Sequence, residues 1–429
     1  MKIKDISALE ILDSRGNPTI AATIKLDNGV QGTAMVPSGA STGSHEAVEL
    51  RDNDEKFYDG LGVQQAIKNI TEKIKPALVG QEVEDQAMID DIMIKLDATT
   101  NKAKLGANAI LAVSLAAARA AANSLGLPLY QYLTKFDPNF SGHYYLPVPM
   151  MNVLNGGKHA NWATDIQEYL ILPVGAKTMA AAVRCGAEVY QSLKKILKSK
   201  SYSISVGDEG GFAPAVSNNE EAFILLVEAV RAAGYVLGRD IVFGIDAAAT
   251  EFYSEGTYNL KKENKILSGA ELATFYSELQ AKYPIYSFED IFAEDDWSSF
   301  QEFTAKFGQA VQIVGDDLYA TSVERLERGI KDKATNSILI KLNQIGTLSE
   351  TVAAILLARA SNLTAVISHR SGETEDSFIA DLVVALGTGQ IKTGAPARSE
   401  RTAKYNRLLE IAAALGEKAS YATFPFSVK

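Results

Sequence analysis

The chain has 429 residues, 47% hydrophobic and 22% charged, with a formal net charge of −10. That is globular composition with length for two or three domains, although one barrel alone can absorb about 250 residues. The acidic balance argues against nucleic acid as the main partner, the single cysteine, Cys185, rules out an intrachain disulfide, and no stretch approaches the ~20 apolar residues of a membrane helix.

The N-terminal "MKIKDISALEILDSRG" has no long apolar core, so no signal peptide is expected and a cytoplasmic location is. "PTIAATIKL" alternates, with Ile20, Ala22, Ile24 and Leu26 on one face. "DNG" and "VQGTAMV" follow, which predicts a hairpin turning at Asn28-Gly29. "PSGASTGSHE", residues 37–46, is small and glycine-containing and predicts a mobile loop. "GVQQAIKNITEKIKPAL" and the Ala-rich "GANAILAVSLAAARAAANSLG" each predict a helix. Strands followed by helices predict an α+β domain over residues 1–135. The segment 134–149 carries three prolines and a glycine and marks the boundary to a second domain, 140–429.

After residue 240 apolar runs alternate with helical patterns. The runs reach Asp246, Glu289, Asp316, Lys341, His369-Arg370 and Lys392, at spacings between 23 and 43 residues. A strand, a helix and two loops need about that length. Such repetition predicts a parallel sheet covered on both faces, and six units in a row favour a (β/α) barrel. Barrel active sites lie at the C-terminal strand ends, where these polar residues fall.

"SFEDIFAEDDW" holds five carboxylates in eleven positions, 287–297. Glu289 is expected to face the barrel mouth with Asp246 and Asp316, as oxygen ligands for a hard cation such as Mg²⁺. Glu294, Asp295 and Asp296 suit a solvated helix N-terminus. Lys341 breaks an apolar strand, and neighbouring cations are expected to lower its pKa and make it a base. "GDEGGFAP" surrounds Asp208 and Glu209 with glycines, which let the backbone approach a ligand. "SHRSGETEDS" offers a guanidinium, a hydroxyl and N–H groups to an anion. His45, His159 and His369 lie in polar loops, and His143 stands beside linker tyrosines. Cys185, Trp162 and Trp297 read as packing residues.

Together "GDEGGFAP", "SHRSGETEDSFIADL", "LNQIGTLSET", "PSGASTG", "FAEDDW" and "TGQIKTGAPARSER" resemble enolase, in order and essentially end to end. The resemblance implies an α/β chain. An N-terminal α+β domain would cap a modified (β/α)8 TIM-type barrel that begins ββαα before regular βα units. It implies a lyase of glycolysis and gluconeogenesis that dehydrates 2-phosphoglycerate to phosphoenolpyruvate, with two Mg²⁺ per site, the second arriving with substrate. It also implies a homo-oligomer, a dimer or a ring of dimers. Carried over by motif, Asp246, Glu289 and Asp316 would hold the first metal and Ser41 would help bind the second. Lys341 would be the base and Glu209 the acid, supported by Glu168. His159, Gln167, Arg370, Ser371, Lys392 and Lys341 would bind substrate, with His369 nearby. Ile291, "NWAT" at 161–164 and Ala397 depart from the family pattern. The rival readings are another acid dehydratase or racemase of the superfamily, and a non-catalytic binding role.

Overall fold

Alternation and turn chemistry build the N-terminal sheet. The computed structural model describes residues 1–39 and 43–426, apart from the His159 side chain. In it β1 (Ile3–Leu12), β2 (Pro18–Leu26) and β3 (Gln31–Met35) form an antiparallel sheet in that order. The β2–β3 turn falls at Asn28-Gly29, as the sequence predicts. The Ala-rich stretch is the helix Ala107–Ser124, which packs on β2 and β3 and is buried almost throughout. The helix predicted over "GVQQAIKNITEKIKPAL" is interrupted. Gln64–Asn69 passes into a π-helical turn, Ile70–Ile74, before Lys75–Leu78. Pro76 explains the break: it has no N–H to donate four residues back, and the Lys75 N–H reaches Ile70 instead.

β4 (Tyr144–Leu146) leads into the barrel, whose strands are β5 (Val148–Asn155), β6 (Glu168–Leu172), β7 (Val242–Asp246) and five more. A small sheet of β8 (Tyr253–Ser254), β9 (Thr257–Leu260) and β10 (Lys265–Leu267) intervenes. Then come β11 (Ile285–Glu289), β12 (Gln312–Gly315), β13 (Ser337–Ile340), β14 (Thr364–Ser368) and β15 (Gln390–Lys392). The ring closes in the order β11-β12-β13-β14-β15-β5-β6-β7. β6 is antiparallel to both neighbours, while the other pairs are parallel. Two helices, Met179–Ser199 and Asn219–Ala232, link β6 to β7. The barrel therefore opens ββαα and continues as βα units. β16 (Ala419–Tyr421) pairs with β4.

Because the strands are buried on both faces, their apolar runs are continuous. Val148, Leu172 and Val242 line the barrel floor, with Ala422 and Phe424 of the C-terminal segment packed into the same cluster. The N-terminal layer contacts loops at the other end. Ser38 and Gly372 exchange backbone hydrogen bonds of 2.7 and 2.9 Å, and Arg119 Nη1 donates to Asp376 Oδ2 at 2.9 Å. No single helix among the described residues is long and apolar enough to cross a membrane.

Candidate active site

Charge is sorted around the mouth. Asp246 ends β7, Glu289 ends β11 and Asp316 follows β12, so three consecutive strands deliver acids. The next three deliver cations: Lys341 follows β13, Arg370 comes just after β14, and Lys392 ends β15. Glu168 also belongs to the mouth, although it begins its strand, because β6 runs in reverse. Register places Asn155, Glu168, Asp246 and Glu289 side by side across β5, β6, β7 and β11. In the eight-strand ring β6 stands opposite β13, so Glu168 and Lys341 enter from facing sides.

The two halves engage each other. Lys392 Nζ lies 2.7 Å from Glu289 Oε1, 3.0 Å from Asp246 Oδ2 and 3.2 Å from Glu168 Oε1. Lys341 Nζ donates to Asp316 Oδ2. Burial pushes the Glu289 carboxyl well up, and Asp246 adds to this. Burial also opposes ionisation of Asp246, but Lys392 and Lys341 outweigh it and leave Asp246 below its usual range.

Lys341 corrects the sequence reading in two ways. It sits one residue beyond its strand, opening the short helix Leu342–Ile345. Its pKa is raised, not lowered. Burial, Arg370 and Lys392 do push it down, but Asp316 and Asp317 hold the proton on more strongly.

Glu209 is brought in by its glycine loop. Gly210 has φ +87°, and a Cβ on Gly211 would lie 2.6 Å from Asn155 Oδ1. Only glycine permits that approach. Glu209 Oε2 accepts from Asn152 Nδ2 at 2.9 Å. Glu168 is buried and its carboxyl pKa is raised well up, by burial first and by Glu209 second. His369 Nδ1 accepts from Arg401 Nη1, which places the imidazole proton on Nε2, 3.5 Å from Glu209 Oε2. Burial lowers the His369 pKa to about 3, so the ring is neutral near pH 7.

Gln167, Glu168, Glu209, Asp246, Asp316, Lys341, His369, Arg370, Ser371 and Lys392 line one cavity. Glu289 is fully buried and does not line it, but it contacts the lining residue Lys392. Ser41 and the His159 side chain lie outside the described residues. Several participants are assigned no role from the sequence. Asp290 and Asp317 line the cavity too, and Asp290 accepts from the Asp316 and Asp317 N–H groups, each at 2.8 Å. Their signal was adjacency to the acids already singled out. Arg401, fully buried, also donates to the backbone oxygens of Arg370 at 2.6 Å and Asp208 at 3.1 Å. It ties the anion segment to the Glu209 loop. Ile291 packs in the core and Ala397 lies against it, and neither is a proposed ligand.

The donors suit a hard cation. All are carboxylate or amide oxygens, and Glu289 Oε2, Glu168 Oε2 and Gln167 Oε1 are buried without a hydrogen-bond partner. Asp290, Asp316 and Asp317 offer oxygens within 4.8 Å of one another, a tighter group than Asp246, Glu289 and Asp316, whose counter-charges here are lysines. Oxygen-only donor sets fit Mg²⁺.

Two family models match the chain, the enolase N-terminal domain over residues 3–133 and the enolase C-terminal TIM barrel domain over residues 143–428. With nearly the whole chain matched, and a closed barrel carrying acids and cations on successive strand ends, the chain belongs to the enolase family.

Proposed function

We propose that the protein catalyses the reversible dehydration of 2-phosphoglycerate to phosphoenolpyruvate. The observation that carries this reading is the divided mouth: acids from β7, β11 and β12, cations from β13, β14 and β15, and a buried carboxyl pair facing the lysine. The substrate is an anion with a poorly acidic α-hydrogen, and it needs all three parts.

Arg370, Ser371 and Lys392 bind the anionic groups, the arginine through its planar fork. Lys341 takes the α-proton once it is itself deprotonated, which the balance between its cationic and carboxylate neighbours controls. The β-hydroxyl leaves as water, taking a proton from the Glu168–Glu209 pair, in which burial and the neighbouring Glu209 charge favour protonation of Glu168. His369, neutral and fixed by Arg401, directs its Nε2–H at Glu209. Asp246, Glu289 and Asp316, with Asp290 and Asp317 adjoining, would hold Mg²⁺. What the metal supplies when bound is electrostatic stabilisation of the charge that builds on the substrate carboxylate.

The cationic half favours a phosphorylated substrate over the unphosphorylated acids of related dehydratases. The test follows phosphoenolpyruvate absorbance from 2-phosphoglycerate, with Mg²⁺ and then with excess chelator. Turnover that needs Mg²⁺ supports the reading, and Mg²⁺ should also raise the melting temperature. No turnover with Mg²⁺ present sinks it.

A further inference from the structure

The Arg370 fork already holds an anion from elsewhere in the chain. Arg370 Nη1 donates to Glu46 Oε2 at 2.8 Å and Nη2 donates to Glu46 Oε1 at 3.1 Å. Both side chains are at least nine-tenths buried. The pair joins the N-terminal layer to the barrel across 324 positions of sequence. Other groups hold each partner in place. Gln344 Nε2 donates to Glu46 Oε1 at 3.3 Å, the Gly43 N–H donates to the same oxygen at 3.1 Å, and Asn343 Oδ1 accepts from Arg370 Nη1 at 3.0 Å. Burial raises the Glu46 pKa, but Arg370 outweighs it and the carboxyl is ionised.

We propose that Glu46 is an internal competitor for Arg370 and determines ligand specificity: a dianionic phosphoryl group displaces it, and a monoanionic carboxylate does not. The inference rests on Arg370 binding the phosphoryl group. Glu46 offers the fork two oxygens and one charge. A free carboxylate offers the same, but Glu46 is tethered and meets the fork at a high effective concentration. A carboxylate therefore gains nothing by exchange. A phosphoryl dianion brings a third oxygen and a second charge, and Lys341 and Lys392 line the same cavity to receive it.

The test uses the full chain at pH 8 and measures binding of inorganic phosphate and of formate by calorimetry. The variants are Glu46→Gln, Glu46→Ala and Arg370→Met, each checked by thermal melt. The unmutated protein should bind phosphate and not formate. Glu46→Gln should bind phosphate about tenfold tighter, the factor that ~1.4 kcal/mol represents, and should bind formate measurably. Glu46→Ala should move the same way. In the unmutated protein, phosphate but not formate should shift the Glu46 carboxyl carbon signal. If phosphate binding is lost in Arg370→Met but is unchanged or weaker without the Glu46 charge, the competitor idea is overturned, and Glu46 merely positions the arginine. If Arg370→Met binds phosphate normally, the phosphoryl site lies elsewhere and both readings fail.

Discussion

The barrel's two ends handle buried polar groups in opposite ways. At the floor, Gln312 and Gln390 pair amide to amide at 2.8 and 3.0 Å, and Gln312 Nε2 also reaches Ser337 Oγ at 3.0 Å and Thr364 Oγ1 at 2.9 Å. No charge is present in that group, and Val148, Leu172, Val242 and Phe424 lie in the apolar cluster beside it. At the mouth, Glu168, Glu289, Gln167, Asn152 and Asn155 all keep buried atoms without partners, among ionised neighbours. Buried polar groups are usually satisfied, and each exception calls for a reason. Others lie away from the mouth, at Gln86, Tyr276 and Trp297, and Thr388 Oγ1 just before β15 is one at the floor end. The contrast is therefore between the closed Gln312–Gln390 network at the floor and the group of carboxylate and amide atoms left open at the mouth.

The comparison breaks if a mouth residue proves structural or a floor residue proves catalytic. Lys341→Ala carries the largest expected effect. Turnover should fall by about 10²–10⁴-fold or more, the range for a general base. Exchange of the substrate's α-hydrogen with deuterated solvent should fall with it, while circular dichroism stays native. Exchange at the unmutated rate would remove Lys341 from the base role.

Acid should then separate the ends. His369 has a folded pKa of about 3 against an ordinary value near 6.5. A depressed folded pKa means the unfolded chain takes the proton first. Its contribution is therefore full above pH ~6.5 and is lost as pH falls towards 3. His369→Gln should shrink the drop in urea midpoint between pH 7.5 and pH 4.5. Gln312→Leu leaves Gln390 Nε2 and the Ser337 hydroxyl short of partners. It should cost about 1–3 kcal/mol, equally at both pH values, with kcat unchanged. A Gln312→Leu enzyme that melts normally but turns over slowly would reverse the assignment of the two ends.

How legible each region was follows from strand direction and distance along the chain. Asp246, Glu289, Asp316 and Lys392 could be read directly, because a charged residue closing an apolar run is an anomaly with few explanations. Glu168 could not, because its strand runs backwards and the residue opens it; only the family resemblance supplied it. Arg401 closes the motif "TGQIKTGAPARSER" and sits in the charged first turn of the helix Ser399–Leu415, yet it is fully buried, which charge pattern alone does not reveal. Glu46 is paired with a residue hundreds of positions away, which no periodicity reveals. The sign of the Lys341 shift failed for another reason: a sequence does not say which of several opposite charges stands nearest.

The five acids of "SFEDIFAEDDW" sharpen the comparison within one segment, and the smallest expected effect lies there. Glu289 and Asp290 point inward. Asp296 caps the helix Trp297–Phe307, accepting from the Ser299 N–H at 3.2 Å, and also accepts from the Tyr258 hydroxyl at 2.7 Å. Glu294 and Asp295 lie on the rim and grip the N-terminal layer: Ser44 Oγ donates to Glu294 Oε1 at 2.8 Å, and His45 Nε2 is 3.2 Å from Asp295 Oδ1. Arg325 Nη2 also reaches Asp295 at 3.1 Å, but the carboxylate is 62% exposed. Water and salt screen a pair that open, so it is worth about 0–1 kcal/mol. Asp295→Asn should therefore shift the urea midpoint slightly, and the shift should shrink at high salt. Asp296→Ala removes a cap worth about 0.5–2 kcal/mol and should cost more, with little salt dependence. A larger loss from Asp295→Asn than from Asp296→Ala would mean that the rim contact is a structural clasp, and the boundary between a closed floor network and a ligand-ready mouth would have to be redrawn inside this one segment.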